Sequence, residues 1–131
     1  MDSVFLNELE FNQVIGRWNV FNVRDMSRMF DRARKFNQDI GQWDVARVKG
    51  MNSMFYGACK FNGDIRNWNI SNVEYMNNMV YCASAFDFDL TVSSWDVSHA
   101  QDKHCMLPEG FPENFHPGIC SSDVFSNKFG A

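Results

Sequence analysis

The sequence contains no apolar run that approaches the roughly 18 residues of a membrane-spanning helix. Its 131 residues are 45% hydrophobic and 21% charged, which predicts one small globular domain rather than several domains or a disordered chain. Positive charge is scarce as well, since 12 Lys and Arg stand against 16 Asp and Glu, for a net charge of −4. Because binding to phosphates needs a basic face, we expect no nucleic-acid partner.

Cysteine and proline are sparse, with four cysteines and three prolines in the chain. The cysteines are Cys59, Cys82, Cys105 and Cys120, and they form no C-x-x-C pair. A chain of this size has enough core residues to fold without disulfides, so the sequence leaves their redox state open. All three prolines lie between 108 and 117, which distinguishes the last part of the chain from the rest.

Aromatic residues and methionine, by contrast, are abundant and recur every 25 residues. Phe11, Phe36, Phe61 and Phe86 begin four successive units. In the first three units an isoleucine follows four positions after this Phe, and a tryptophan follows seven positions after it. A fixed period is typical of stacked-repeat proteins, in which each unit buries its apolar face against its neighbours. We therefore predict that the repeated aromatic and methionine positions form the core.

The repeat frame divides the chain into an array and a tail. The array covers residues 1–107: a half-repeat at 1–10, repeats that begin at 11, 36 and 61, and a degraded repeat that begins at 86. The degraded repeat has two additional residues before its tryptophan, Trp95. Residues 108–131 differ in composition, and we predict that they form a C-terminal cap or tail.

Each unit is predicted to contain a short helix and a short strand. Met26, Met29, Phe30 and Ala33 have the i, i+3, i+4 and i+7 spacing of one helix face. The stretch 36–45 lacks that spacing, carries β-branched and aromatic residues and has Gly-Gln in its middle, which favours a short strand and a turn. Stacked units of this kind predict an α/β repeat solenoid of short strand, turn and short helix.

The repeat resembles that of the BspA-like leucine-rich-repeat surface proteins, the DUF285-type repeat. In the second unit the matching residues are Phe36, Asn37, Asp39, Ile40, Trp43, Asp44, Val45, Val48, Met51, Met54, Phe55 and Ala58. The similarity extends from Met1 to about Leu107. It implies an irregular, right-handed leucine-rich-repeat-like solenoid that presents a surface for protein recognition, usually on or outside a cell, and that has no catalytic residues.

The sequence leaves the compartment open. The start of the chain, from Met1 to Glu8, has neither the basic start nor the apolar core of a signal peptide. We therefore expect either a mature or excised segment of a surface protein or an intracellular member of the family.

Three polar columns accompany the apolar ones, and we expect the first and the third to bond main-chain groups at turns. The columns are Asn12, Asn37, Asn62 and Asp87; Asp39, Asp64 and Asp89; and Asn19, Asp44, Asn69 and Asp96. The second column is also a candidate for calcium, which takes several oxygen ligands. Against that candidate, stacking would bring like charges together, and Val14 occupies this position in the first repeat.

The end of the array offers ligands of the type that zinc prefers. They are His99, His104, Cys105, His116 and Cys120. Their spacing does not specify a zinc site, and the adjacent His104 and Cys105 do not suit the geometry of a nucleophile and its base. Since no Gly-rich phosphate loop is present either, the sequence predicts no enzyme, no metal and no cofactor.

Specificity in a stacked repeat lies at exposed positions that change from one unit to the next. We predict a protein-binding surface at three such columns, formed by Arg17, Gln42 and Asn67, by Arg47 and Asn72, and by Arg24, Lys49 and Glu74. The predicted function is a non-catalytic protein–protein interaction scaffold, either a recognition module or an accessory subunit whose partners are neighbouring subunits. The alternative is carbohydrate binding by exposed aromatic rings, with Phe21, Tyr56, Tyr75 and Tyr81 as candidates.

Overall fold

The chain forms a stack of rungs that are built from turns. The structure, a computed structural model, describes residues 1–87, 95–102 and 106. We call the residues 11–35, 36–60 and 61–85 the first, second and third rung, and the residues 1–10 the half-rung. Within the described residues the only β-structure is a set of isolated parallel bridges between equivalent positions of successive rungs. These bridges are Asp25↔Gly50, Gly50↔Tyr75 and Tyr75↔Asp102.

The predicted helix over residues 26–33 is wrong, because two successive β-turns occupy this segment. The turns 26–29 and 30–33 are each closed by the N–H of the fourth residue, which donates to the carbonyl of the first at 3.2 and 3.0 Å. Arg28 and Arg32, the third residues of these turns, have φ angles of 58° and 61°. Such a positive φ is what a type II turn requires, and it is incompatible with a right-handed helix.

The same pair of turns recurs in every described rung. In both turns of each pair, the third residue of the turn has a positive φ. These residues are Ser3, Asn7, Arg28, Arg32, Ser53, Gly57, Asn78 and Cys82. Two consecutive turns bury their first and fourth residues, which reproduces the i, i+3, i+4 and i+7 spacing of an amphipathic helix. The spacing therefore identified the buried residues correctly and assigned the wrong backbone to them.

Main-chain hydrogen bonds join the turns of one rung to the turns of the next. The N–H groups of Arg28, Phe30 and Arg32 donate to the carbonyls of residues 52, 54 and 56 at distances of 2.6 to 2.8 Å. A helix would direct these N–H groups to carbonyls four residues earlier in its own segment. The bonds to the following rung are the physical reason why the turns replace the helix.

The predicted strand at 36–45 is wrong as well, since no strand is formed there. The Asn37 N–H donates to Asn12 Oδ1 at 2.8 Å, and the Gly41 N–H donates to Asp39 Oδ1 at 3.0 Å. Side-chain oxygens thus accept from N–H groups that a strand would pair with a neighbouring main chain. With neither helix nor extended strand in the described part, the predicted α/β fold class, the right-handed leucine-rich-repeat-like solenoid of strand, turn and helix, is incorrect.

The core consists of ladders of identical side chains along the stack. The rings of Phe30 and Phe55 stack with centroids 5.5 Å apart, and those of Trp43 and Trp68 are nearly parallel at 6.4 Å. Burying such rings is the main favourable contribution to a fold of this kind. The described residues include no helix that could span a lipid bilayer.

Apolar side chains are exposed mainly on the first turns of the stack. Five of the six exposed large hydrophobic residues in the described part lie between positions 4 and 21, and Tyr75 is the sixth. We call these five the N-terminal edge; they are Val4, Leu9, Val14, Trp18 and Phe21. Among described residues, the first rung packs against a full rung on one side only.

Candidate functional site

Stacking in register places the predicted surface columns on the outside of the molecule. We call the eight predicted residues the surface stripes; they are Arg17, Gln42, Asn67, Arg47, Asn72, Arg24, Lys49 and Glu74. Seven of them are exposed, and Glu74 is half-buried. The structure thus gives all eight an accessible position, while their role in binding stays a prediction.

One stripe is held by contacts between rungs. The Arg47 side chain donates from Nη1 to Asn22 Oδ1 at 2.9 Å, and its guanidinium lies over the Phe21 ring, 4.3 Å from the centroid. Further along the stack, Asn72 Nδ2 donates to the Ala46 carbonyl at 2.7 Å. These side chains therefore have fixed positions on the surface.

A second stripe carries a change of charge along the stack. Lys49 Nζ and Glu74 Oε2 are 4.0 Å apart, and Gln101 Nε2 donates to Glu74 Oε1 at 3.2 Å. Arg24, one rung earlier in this column, is exposed and has no ion pair among the described residues. Along the stack, this column thus begins with Arg24, which has no ion pair among the described residues, continues with the Lys49–Glu74 ion pair and ends with the neutral amide of Gln101.

The third stripe is the least constrained. Arg17, Gln42 and Asn67 are exposed, and their side chains form no hydrogen bond or ion pair with any described residue. Their polar groups are therefore available to a partner without the loss of an internal bond. This stripe is the part of the predicted surface that is best suited to recognition.

The polar columns act as turn supports, as predicted. Asn37 Oδ1 accepts from the Asn62 N–H at 2.9 Å, which repeats the contact of Asn12 one rung earlier. Asp44 Oδ1 accepts from the N–H two residues ahead at 3.1 Å, and Asn69 does the same. Such bonds satisfy main-chain donors that the turns leave without a main-chain partner.

The calcium candidates Asp39 and Asp64 are engaged in local hydrogen bonds. Asp64 accepts from Arg66 Nε at 3.0 Å and from Arg66 Nη2 at 2.8 Å. These side-chain bonds, together with one from the Arg66 main chain, lower the pKa of the exposed Asp64 carboxyl. The third candidate, Asp89, lies outside the described residues.

Most of the zinc-type ligands fall outside the described residues, namely His104, Cys105, His116 and Cys120. His99 is described, and its Nε2 lies 3.0 Å from the Ile70 carbonyl oxygen. The side chains of Cys59 and Cys82 are exposed. Across 1–87, 95–102 and 106, no three His, Cys, Asp or Glu side chains form a group that could hold a metal ion.

The structure brings together two of the four aromatic rings considered for carbohydrate binding. Tyr56 and Tyr81 stack with centroids 6.0 Å apart. Phe21 is covered on one side by Arg47, and Tyr75 is 40% exposed with no ring contact among the described residues. The four rings therefore do not form one continuous aromatic stripe.

Sequence reasoning missed a polar cleft on the turn side of the stack. The cleft has a volume of about 370 Å³ and is lined by turns of the half-rung, the first rung and the second rung, with Arg28, Asp31 and Arg32 among its lining residues. The helix prediction concealed it, because a helix would not place the outer residues of adjacent turns around a common cleft. A signal was available in the charge of the first rung: six Lys and Arg against two Asp and Glu.

One protein family matches almost the whole chain. The family described as "Mycoplasma protein of unknown function, DUF285" matches residues 1–116. No curated protein and no solved structure matches the chain. The predicted resemblance to DUF285 is confirmed, and the relation to BspA-like leucine-rich-repeat surface proteins stays a prediction.

Proposed function

The chain belongs to the DUF285 family, and we propose that it is a non-catalytic scaffold that binds another protein through its surface stripes. The observation that carries this proposal is the difference between inner and outer columns. Inner columns repeat one side chain, such as Trp43 and Trp68, whereas the outer column of Arg17, Gln42 and Asn67 changes its chemistry at every rung. A constant core with a variable surface is how repeat proteins present binding surfaces.

The charges of the stripes supply a basis for choosing a partner. Arg17 and Arg24 are exposed cations without an ion-pair partner in the described part of the chain. Complementary charge on a partner would raise the rate of association and fix the register of the two surfaces. Gln42 and Asn67, which lie in the same column as Arg17, add amide groups that can donate and accept hydrogen bonds.

The partner is either a molecule on another surface or a neighbouring subunit of a larger assembly. A recognition module on or outside a cell would be monomeric in isolation and bind when its ligand is supplied. An assembly subunit would be recovered with stoichiometric neighbours.

The test is cross-linking capture from the source cells with matched charge reversals. Arg17→Glu together with Arg24→Glu should abolish capture of the cross-linked partner, because two unpaired cations of the stripes become anions. Arg34→Glu together with Lys35→Glu serves as the control, since it reverses two exposed cations of the same rung outside the stripes. Retention of the partner by the double variant, or equal loss with the control, would overturn the proposal.

Carbohydrate binding is the alternative function, and its support is the exposed ring of Tyr75 and the stacked pair of Tyr56 and Tyr81. Aromatic rings bind sugars through their open faces. A glycan array probed with the purified chain tests this alternative directly. Specific binding that is lost in Tyr75→Ala would favour it over the protein-binding scaffold, and an array without signal would remove it.

A further inference from the structure

The polar cleft on the turn side extends from the half-rung across the first rung to the second rung. Asn7 of the half-rung, Arg28 and Arg32 of the first rung, and Ser53 and Tyr56 of the second rung all line it. Because equivalent turns stack directly upon one another, residues 25 positions apart face the same cleft. We call this cleft the arginine pocket.

Arg32 is held in place by two neighbours. Its Nη1 lies 3.3 Å from Asp31 Oδ1, and its guanidinium lies over the Tyr56 ring, 5.2 Å from the centroid. The ring of Tyr56 also stacks against the ring of Tyr81. Arg32 is therefore a fixed cation with one ion pair and one cation–π contact.

Arg28 differs from Arg32 because its charge is not paired. It is exposed and its side chain forms no hydrogen bond or ion pair with a described residue, although it lies close enough to influence the Asp31 carboxyl electrostatically. Its main chain is fixed by the hydrogen bond from its N–H to the Asn52 carbonyl at 2.8 Å. The pocket thus presents one available guanidinium from a rigid turn.

The sum of charges in the pocket limits what it can bind. Arg28 and Arg32 together with the ionised Asp31 give a net charge of +1, within a first rung that carries +4 and a whole chain that carries −4. The rest of the molecule would repel a long polyanion such as a nucleic acid. A single carboxylate neutralises the pocket, and the planar guanidinium of Arg28 matches its two oxygens.

We propose that the arginine pocket binds the carboxylates of an acidic protein segment, with Arg28 as the primary contact and with Asn7 and Ser53 as additional hydrogen-bonding groups. The pocket is open and spans the half-rung and two rungs, which suits an extended segment rather than a small enclosed ligand. It lies at frame positions different from those of the surface stripes. This site is therefore a second binding surface, and its existence does not depend on the stripes.

The test measures binding of an end-blocked eight-residue peptide, with two adjacent glutamates among glycines and serines, to the purified full chain by fluorescence anisotropy. Arg28→Gln should weaken binding about tenfold or more, since a hydrogen bond to a charged group is lost. Asp31→Asn should strengthen binding severalfold, because it removes the only carboxylate of the pocket. Arg28→Lys should restore part of the affinity, since it returns the charge without the planar fork.

Controls separate this site from general electrostatics. Arg34→Gln removes an exposed arginine of the same rung that has no ion pair among the described residues and lies outside both the pocket and the stripes, and it should change peptide affinity by less than about twofold. Equal weakening by Arg34→Gln and Arg28→Gln, no peptide binding, or full displacement of the peptide by millimolar inorganic phosphate would each overturn the proposal. Cross-linked capture through the stripes should be unchanged in Arg28→Gln, so the two proposals can fail separately.

Discussion

The middle of the stack and its N-terminal edge contain the same residue types in the same frame, yet they differ in burial. Trp43 and Trp68 are each 4% exposed, whereas Trp18, at the equivalent position of the first rung, is 40% exposed. The sequence around the three residues follows one pattern. Burial in this fold is therefore determined by neighbouring rungs and not by the rung itself.

Hydrogen bonding differs between the two regions in the same way. Trp43 Nε1 donates to the Ile15 carbonyl at 3.1 Å, and Trp68 Nε1 donates to the Ile40 carbonyl at 3.0 Å. Each indole thus reaches back to the preceding rung. Trp18 has no acceptor of this kind among the described residues, so it contributes less to the stack than its sequence position suggests.

The largest expected effect comes from removing an indole from the middle. Trp43→Ala should lower the free energy of unfolding by about 3 to 5 kcal/mol, because it leaves a large cavity between two rungs. Trp18→Ala should cost about 1 kcal/mol or less, since its site is already partly open to solvent. Urea denaturation of both variants measures the difference. Equal losses would contradict the distinction between the middle and the edge.

We expect a smaller difference in the free energy of unfolding between a tryptophan variant of the third rung and one of the degraded repeat. Trp68→Phe removes the N–H that donates to the Ile40 carbonyl and should cost about 1 to 2 kcal/mol. Trp95 is 9% exposed, and its Nε1 is buried without an acceptor among the described residues. Trp95→Phe therefore removes an unsatisfied donor and should cost about 1 kcal/mol less than Trp68→Phe. A larger loss for Trp95→Phe in the same denaturation experiment would show that its N–H is bonded in solution.

Sequence periodicity located the core but not the backbone that builds it. The spacing of Met26, Met29 and Phe30 is shared by one helix face and by two successive turns, so hydrophobic pattern alone cannot separate them. The decisive feature is the positive φ of Arg28 and Arg32. Neither residue is a glycine or an asparagine, so the usual signal for a type II turn is missing from the first rung.

The candidate sites show a similar limit. The surface stripes could be predicted, because exposure follows directly from the repeat frame once the core columns are known. The arginine pocket could not, because its lining depends on how the turns of the half-rung and of the first two rungs stack and on the contact between Arg32 and Tyr56. Gly57, Asn7 and Asn78, which have φ of 69°, 62° and 59°, carried a residue-level indication that these segments are turns.

The turn positions allow a comparison within one rung. Ser53 and Gly57 both have positive φ, at 55° and 69°. Ser53→Gly should raise the free energy of unfolding by about 0.5 to 1 kcal/mol, because glycine adopts this conformation without strain. Gly57→Ala should lower it by about 1 kcal/mol, although a Cβ there would lie at an ordinary 3.5 Å from Arg32 Cγ. Thermal unfolding of the two variants measures both changes, and shifts of the same sign would contradict the turn assignment.

The smallest effect concerns the pH dependence of stability through Asp31. Burial raises the pKa of this carboxyl, while Arg32 and Arg28 act in the opposite direction. A carboxyl whose pKa is higher in the folded state binds its proton more tightly there, so its ionisation lowers stability as the pH rises. Asp31→Asn should therefore be slightly more stable than the parent at pH 7 and equal to it well below the ordinary Asp pKa of about 3.9. A stability advantage of Asp31→Asn that grows toward low pH would contradict this prediction.

The fixed register of the hydrogen bonds between rungs allows the chain to be shortened or lengthened by whole rungs of 25 residues. Each of the N–H groups at 28, 30 and 32 meets a carbonyl 24 positions later, and those at 53, 55 and 57 meet carbonyls at the same offset. Excision of residues 36–60 would join the first rung to the third with every donor again opposite an equivalent acceptor. Removal of one residue fewer would shift each side chain by one place and turn core residues outward. Gain or loss of whole rungs is therefore the change in length that this architecture accommodates without redesign.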